Sequence, residues 1–219
     1  MVESVDTPDL KSVGHCARGS SSLPTRISKV KNMLTNIFQT SFYWHFRAPN
    51  AEEILKKIEE YSEKDADNSR FSWTQVCIVD LVPLLAEDWI DLIKPNLDHI
   101  SNIMNVNCEY ILYDPWLNFY KRHSFQEVHD HDSFDMSYVF FANDGKDFSK
   151  FSFFDRNSTS LTSLMKEFCG YSNGKHIDYK KGDILFFPSN LLHHVTPHNS
   201  DEVRKTLSGN ITFTDVYPK

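Results

Sequence analysis

The sequence predicts an α+β fold in which helices precede a β-sandwich or barrel-like jelly roll. Helical patterns occur before about residue 106, and short apolar segments separated by turn residues follow, an order typical of this class. With 219 residues, 40% of them hydrophobic and 14% aromatic, the chain can bury a core. No apolar segment approaches the ~20 residues needed to span a bilayer, so we expect no membrane association.

Residues 1–32 differ in composition from the rest of the chain. The segment 14–26 is rich in Gly, Ser and Arg and has no period of 2 or 3.6 residues. We therefore predict a disordered or non-native extension over 1–32 and one domain over 33–219. The segment also resembles a translated bacterial or phage tRNA gene, which makes Met33 a candidate start.

The first half of the domain predicts strands and helices in alternation. Residues 35–46 and 71–79 are rich in β-branched and aromatic side chains, which favours strands. Residues 51–64 predict an amphipathic helix capped by Asn50, with Ile54, Leu55, Ile58 and Tyr61 on one face. Residues 84–104 predict a helix interrupted near Pro95, because proline lacks the N–H that a helix interior needs.

The second half predicts strands almost throughout. Glycine-containing turns at 144–145, 173–174 and 181–183 separate the apolar segments. The predicted strands are 107–120, 124–131, 135–142, 150–155, 175–179, 183–187, 192–197 and 204–214.

Charge and cysteine content narrow the classes of function. The net charge is −7, and residues 1–32 carry +2, which leaves −9 for the domain. An acidic domain is a poor match for phosphate, so we expect no nucleic-acid partner. The four cysteines are far apart and form no CxxC pair. We interpret them as reduced thiols in a cytoplasmic protein without a secretory leader.

Histidines provide the strongest chemical signal. His129 and His131 are separated by one residue on a predicted strand, so both side chains are expected on one face and could chelate one ion. His193 follows a Gly-Asp turn and an apolar strand, and a jelly roll can bring such distant strands together. Imidazole suits iron, zinc, copper or nickel. The absence of nearby cysteine disfavours structural zinc.

An arginine after the histidines suggests a bound carboxylate. Arg204 opens the last predicted strand, 11 residues beyond His193. Arginine binds carboxylates through two parallel hydrogen bonds. Thr206 lies on the same face of that strand and could donate its hydroxyl to the same carboxylate.

These motifs together resemble the 2-oxoglutarate/iron(II) oxygenase family of marine bacteria and their phages. The resemblance covers about 107–215 and rests on HDH followed by SYVFF, GDILFFPSNLLHHVTP, RKTLSGN and the upstream W-x-N at 116–118. It implies a double-stranded β-helix, or cupin-like, core with the N-terminal helices packed on it. It also implies iron(II), 2-oxoglutarate as co-substrate, and oxidation of a C–H bond, usually by hydroxylation.

The resemblance also assigns roles to residues. His193 matches the distal ligand, with His194 as the less favoured alternative, and Arg204 matches the 2-oxoglutarate arginine. Thr206 replaces the serine of the family motif, and Asn118 is expected to touch the co-substrate. Related hydroxylases commonly carry a tyrosine where this chain has Phe141, so one hydroxyl is expected to be missing.

The third iron ligand stays open at this point. Most such enzymes use two histidines and a carboxylate, but His131 occupies the carboxylate position. The alternatives are three histidines (His129, His131 and His193), which we favour, or a carboxylate from Asp135, Asp132 or Glu127.

We expect a dioxygenase that hydroxylates a peptide side chain, with prolyl as one candidate, or a small molecule. Its partners are 2-oxoglutarate, O₂ and an unidentified substrate, and a homodimer stays open. The alternatives are a three-histidine cupin-type dioxygenase that does not use 2-oxoglutarate, and a non-enzymatic jelly-roll binding or structural module.

Overall fold

The computed structural model describes residues 41–64, 79–155, 162–169, 172 and 174–219. The predicted extension 1–32, and most of the predicted strands 35–46 and 71–79, lie outside these residues. In the described part, the helices are α1 (Ala51–Lys64), α2 (Ile90–Met104) and α3 (Ser163–Cys169), with a 3₁₀ turn at Ala86–Asp88. Among the described residues, no helix has both the length and the apolar character needed to cross a membrane.

Eleven strands lie within the described residues. They are β1 (Trp44–Arg47), β2 (Asp80–Pro83), β3 (Val106–Leu112), β4 (Trp116–Tyr120), β5 (Gln126–His129), β6 (Met136–Phe141), β7 (Phe151–Phe154), β8 (Gly174–His176), β9 (Asp183–Pro188), β10 (His193–Val195) and β11 (Arg204–Pro218).

The strands form two antiparallel sheets. The larger sheet has the order β1-β9-β6-β11-β4-β2, and β3 pairs with the second half of β11. The smaller sheet has the order β5-β10-β7-β8. Neighbours in each sheet are distant in sequence, which is the jelly-roll arrangement that the sequence predicts, and the core is a double-stranded β-helix.

Side-chain alternation along the strands creates two apolar cores. Ile54 and Ile58 of α1 and Ile93 of α2 pack with Phe140 and Phe186 on the outer face of the larger sheet. On its opposite face, the core holds aromatic and aliphatic residues of both sheets: Val139, Phe141, Leu185 and Phe187 from the larger, Phe151, Phe153 and Val195 from the smaller. Both faces of β6 are therefore buried.

The structure corrects several boundaries. Residues 107–120 form two strands, because Asp114 and Pro115 interrupt them. α2 continues through Pro95 without a break. Next to this proline, the carbonyl of Leu92 accepts hydrogen bonds from the side-chain amides of Asn50 and Asn96. The strand β2 and the helix α3 were not predicted, whereas α1 has the predicted bounds 51–64.

Candidate metal and co-substrate site

Three imidazoles converge in the described part of the chain. The potential ligand atoms of His129, His131 and His193 all lie within 4.8 Å of one another. The ring centroids are 4.2 Å apart for His129 and His193, 5.2 Å for His129 and His131, and 5.3 Å for His131 and His193. Three nitrogen ligands on one side leave the other side of an ion open, as the two histidines and one carboxylate of most non-haem iron(II) oxygenases do.

Strand pairing and one turn bring the histidines together. His129 ends β5 and lies directly opposite His193 of β10. His131 lies beyond the strand, so the prediction that both residues share one face of a strand over 124–131 is wrong. Instead, the His131 backbone N–H donates to the Ser189 carbonyl at 2.8 Å, and the Ser189 N–H donates to the Asp135 carbonyl at 3.1 Å. These bonds hold the turn against the end of β9.

The surroundings of the imidazoles fix their chemical form. The Nδ1 atoms of His129 and His193 lie 2.7 and 2.8 Å from the carbonyl oxygens of Glu127 and Leu191, each two residues earlier. An Nδ1–H that donates to a carbonyl leaves the Nε2 lone pair for a metal.

Burial keeps these rings neutral. It lowers the pKa of His131 to about 4, with a smaller contribution from the neighbouring His129. Burial likewise lowers the pKa of His129, and it lowers that of His193 well below the ordinary value. At neutral pH the three imidazoles therefore present lone pairs, which a metal ligand requires.

The three candidate carboxylates lie outside this group of ligand atoms. Asp135 is exposed, and its Oδ2 accepts the backbone N–H of Phe213 at 2.8 Å. Asp132 is also exposed. Glu127 contacts His129 through its backbone carbonyl. This geometry favours the three-histidine alternative.

Arg204 is a buried cation with unused donors. The residue is 0% exposed, and its Nε donates to the Tyr179 hydroxyl at 2.7 Å. Its Nη1 and Nη2 have no hydrogen-bond partner among the described residues. The guanidinium carbon lies 4.5 Å from the centre of the Tyr120 ring and 5.2 Å from that of Tyr179. A buried guanidinium with two free donors is costly unless an anion pairs with it, so this position fits a bound carboxylate.

One cavity contains both features. It is narrow, with a volume of about 20 Å³, and the three histidines, Arg204 and Asn210 all contribute to its wall. A second cleft of about 320 Å³ is lined by His129, His131 and Asn210 together with Trp116, Gln126 and Leu81. Because His129 and His131 line both the cavity and the cleft, a second molecule that enters the cleft could reach the three imidazoles.

Asn118 and Thr206 lie behind this cavity. Asn118 is 1% exposed, and its Nδ2 donates to Thr206 Oγ1 at 3.1 Å and to Ser208 Oγ at 3.0 Å. Ser208 lines the cavity, whereas neither Asn118 nor Thr206 is among its lining residues. Their direct contact with the co-substrate stays a prediction.

Sequence reasoning missed part of the site. Trp116, Gln126 and Ser208 line the cavity, and Tyr179 contacts Arg204. The W-x-N motif pointed to Trp116, and the alternation of β11 could have found Ser208. No sequence pattern marks Tyr179, which follows β8 in an irregular segment.

Comparison with known families gives these features a common interpretation. Residues 114–210 match the family described as "Putative 2OG-Fe(II) oxygenase". This range contains all three histidines and Arg204. Residues 114–210 are similar to a 2-oxoglutarate/iron(II) oxygenase core. The enzyme class of this family, and its dependence on iron(II) and 2-oxoglutarate, are those that the sequence predicts. A search of curated proteins found no match to the chain.

Solved structures share the fold of this chain. A 2OG-Fe(II) oxygenase-family protein from Burkholderia pseudomallei aligns with TM-score 0.58 and 10% identity, over 89% of this chain and 91% of its own. A prolyl-4-hydroxylase from Pseudomonas putida aligns with TM-score 0.56 and 13% identity, over 79% and 93%. HygX from Streptomyces hygroscopicus, with nickel, 2-oxoglutarate and hygromycin B bound, aligns with TM-score 0.58 and 12% identity, over 80% and 84%.

Proposed function

We propose that His129, His131 and His193 hold iron(II) and that Arg204 binds the far carboxylate of 2-oxoglutarate. The observation that supports this proposal is the buried guanidinium of Arg204, which lines the same cavity as the three imidazoles. Its two Nη donors have no hydrogen-bond partner among the described residues. An anion that reaches both ends must carry a carboxylate at one end and metal-chelating oxygens at the other, as 2-oxoglutarate does. A dioxygenase that binds only its own substrate at the metal would not need this guanidinium.

The chain's own groups have three tasks in this proposal. The imidazoles supply neutral nitrogen ligands, oriented by the carbonyls of Glu127 and Leu191. Arg204 orients the co-substrate, and apolar rings such as Phe151 and Phe187, which are buried and border the cavity, exclude water. The bound iron and 2-oxoglutarate would supply the oxidising chemistry.

We infer that the primary substrate enters through the second cleft and presents an uncharged group to the metal. Besides the two histidines, the described lining residues are Leu81, Trp116, Gln126 and Asn210, which are apolar or neutral polar. A peptide side chain, with proline as one candidate, or a small molecule fits this lining. The two neighbours named for prolyl hydroxylation and for hygromycin B represent these two classes.

The remaining expectations are also proposals. We infer relatives among marine bacteria and phages, a cytoplasmic location and an absence of nucleic-acid partners from the motifs and the acidic domain. The domain is proposed to span 33–219, and a homodimer stays open.

Anaerobic titration with iron(II) tests the ligand set. We expect His131→Ala to abolish tight iron binding, whereas Asp135→Asn retains it, since Asn keeps an acceptor for the Phe213 N–H but removes the charge. Addition of 2-oxoglutarate to the iron-loaded wild-type protein should produce a visible charge-transfer band. Loss of iron in Asp135→Asn would instead favour the carboxylate alternative, and absence of the band in the wild-type protein would contradict 2-oxoglutarate chelation.

A further inference from the structure

We propose that Tyr179 is a positioning residue that aims the two Nη donors of Arg204 at the co-substrate and thereby favours keto acids with a second carboxylate. The inference rests on the proposed role of Arg204 as the carboxylate anchor. Tyr179 belongs to the irregular segment between β8 and β9.

Tyr179 is held in place by an aromatic stack. Its ring lies face to face with Phe141 of β6, with centroids 3.9 Å apart and an interplanar angle of 8°. Its hydroxyl accepts the Arg204 Nε–H at 2.7 Å and lies 3.4 Å from the Ser149 carbonyl. Phe141 lacks the hydroxyl that the resemblance leads us to expect at this position. Tyr179, which stacks on Phe141, places a hydroxyl beside Arg204 instead.

Occupation of Nε decides how Arg204 can bind an anion. A guanidinium offers a carboxylate either its Nε edge or its end, where Nη1 and Nη2 lie side by side. Tyr179 occupies Nε, and both Nη atoms are buried without a partner. The Tyr120 ring, 4.5 Å from the guanidinium carbon, further restricts the group. A carboxylate that forms two hydrogen bonds to Arg204 must therefore bind the end of the guanidinium, through Nη1 and Nη2.

This geometry predicts a selective effect of the Tyr179 hydroxyl. Without it, the guanidinium can turn its Nε edge toward the cavity, and a carboxylate anchored there loses its fixed position. A keto acid that lacks the second carboxylate never meets Arg204, so its binding should not depend on Tyr179. A purely structural role would affect both kinds of ligand equally.

Calorimetric titration of the full-length, Mn(II)-loaded protein tests this proposal. For Tyr179→Phe, which keeps the stacked ring, we expect the Kd of 2-oxoglutarate to rise about tenfold, the effect of one charge-assisted hydrogen bond. The Kd of 2-oxobutyrate, which lacks the distal carboxylate, should stay within twofold. The matched control Tyr217→Phe, at a half-exposed side chain of β11, should leave both constants unchanged.

A second variant guards against a folding defect. Phe141→Leu removes the stack but keeps the Tyr179 hydroxyl, and it should weaken 2-oxoglutarate selectively, by less than Tyr179→Phe. Unchanged 2-oxoglutarate binding in Tyr179→Phe, or equal losses for both keto acids, overturns the positioning role while the proposed function stands. A wild-type protein that does not bind 2-oxoglutarate overturns the proposed function itself, and this inference with it.

Discussion

His193 lies directly opposite His129 in the antiparallel pair of β10 and β5, with ring centroids 4.2 Å apart. Both Nδ1 atoms lie within hydrogen-bond distance of the carbonyl of the residue two positions earlier in the chain. The two imidazoles therefore form a fixed half-site, and the turn after β5 adds His131 to it.

This pairing predicts different effects for two adjacent histidines. His193→Ala should weaken metal binding about 100-fold or more, because it removes a candidate ligand. His194→Ala should change it less than about twofold, because neighbouring side chains of a strand point to opposite faces. Competition against a fluorescent metal chelator measures both constants. Equal losses of metal affinity in the two variants would contradict the assignment of His193 as the ligand.

Replacement of Arg204 should separate ligand binding from folding. Arg204→Met removes the buried charge at similar volume, and the apo protein should become equally or more stable, by up to about 1–4 kcal/mol. Stabilisation by 2-oxoglutarate should disappear, since truncation of one member of a buried charge pair costs about 2–5 kcal/mol of binding.

Thermal unfolding with and without 2-oxoglutarate, in the presence of Mn(II), measures both effects of Arg204→Met. A variant that still gains stability from 2-oxoglutarate would show that the carboxylate binds elsewhere.

Gly209 is predicted to be intolerant of any side chain. It lies opposite Tyr138 on β6, and an added Cβ would lie 2.5–2.7 Å from the hydroxyl and ring of that fully buried tyrosine. Gly209→Ala should cost about 1–3 kcal/mol of unfolding free energy by overpacking. Denaturant titration measures this loss.

Gly174→Ala serves as the control for Gly209, because among the described residues its added Cβ meets only the Phe153 carbonyl oxygen, at 3.4 Å. A Gly209→Ala protein as stable as this control would contradict the overpacking argument.

Pro95 offers a stabilising substitution far from the proposed chemistry. It lies inside α2, where it removes a helical hydrogen bond. Pro95→Ala should raise the unfolding free energy by about 1–2 kcal/mol, because the recovered bond exceeds the entropy lost with the proline. Lys94→Ala in the same helix is the control, and a lower melting temperature for Pro95→Ala alone would refute the expectation.

The sequence was informative where a local pattern has one structural outcome. The apolar period of 51–64 predicts α1 with its observed bounds, and motif spacing predicts that His193 joins His129. The sequence failed where tertiary contacts decide. The side-chain amides of Asn50 and Asn96 bind the Leu92 carbonyl beside Pro95, and backbone hydrogen bonds to Ser189 and to Ile211 of β11 hold the turn that contains His131. Tyr179 meets Arg204 only because separate segments pack together.

The central position of β11 has a consequence for synthesis on the ribosome. β11 lies between β6 and β4 and also pairs with β3, yet it follows all the other described strands in sequence. The six residues of β6 are all buried in the fold. On the ribosome, one edge of β6 therefore stays unpaired and its apolar side chains stay uncovered while some sixty further residues are translated. Such a chain is prone to aggregate until β11 has been made. Slower translation at low temperature, or a chaperone that shields β6, should thus raise the yield of soluble enzyme.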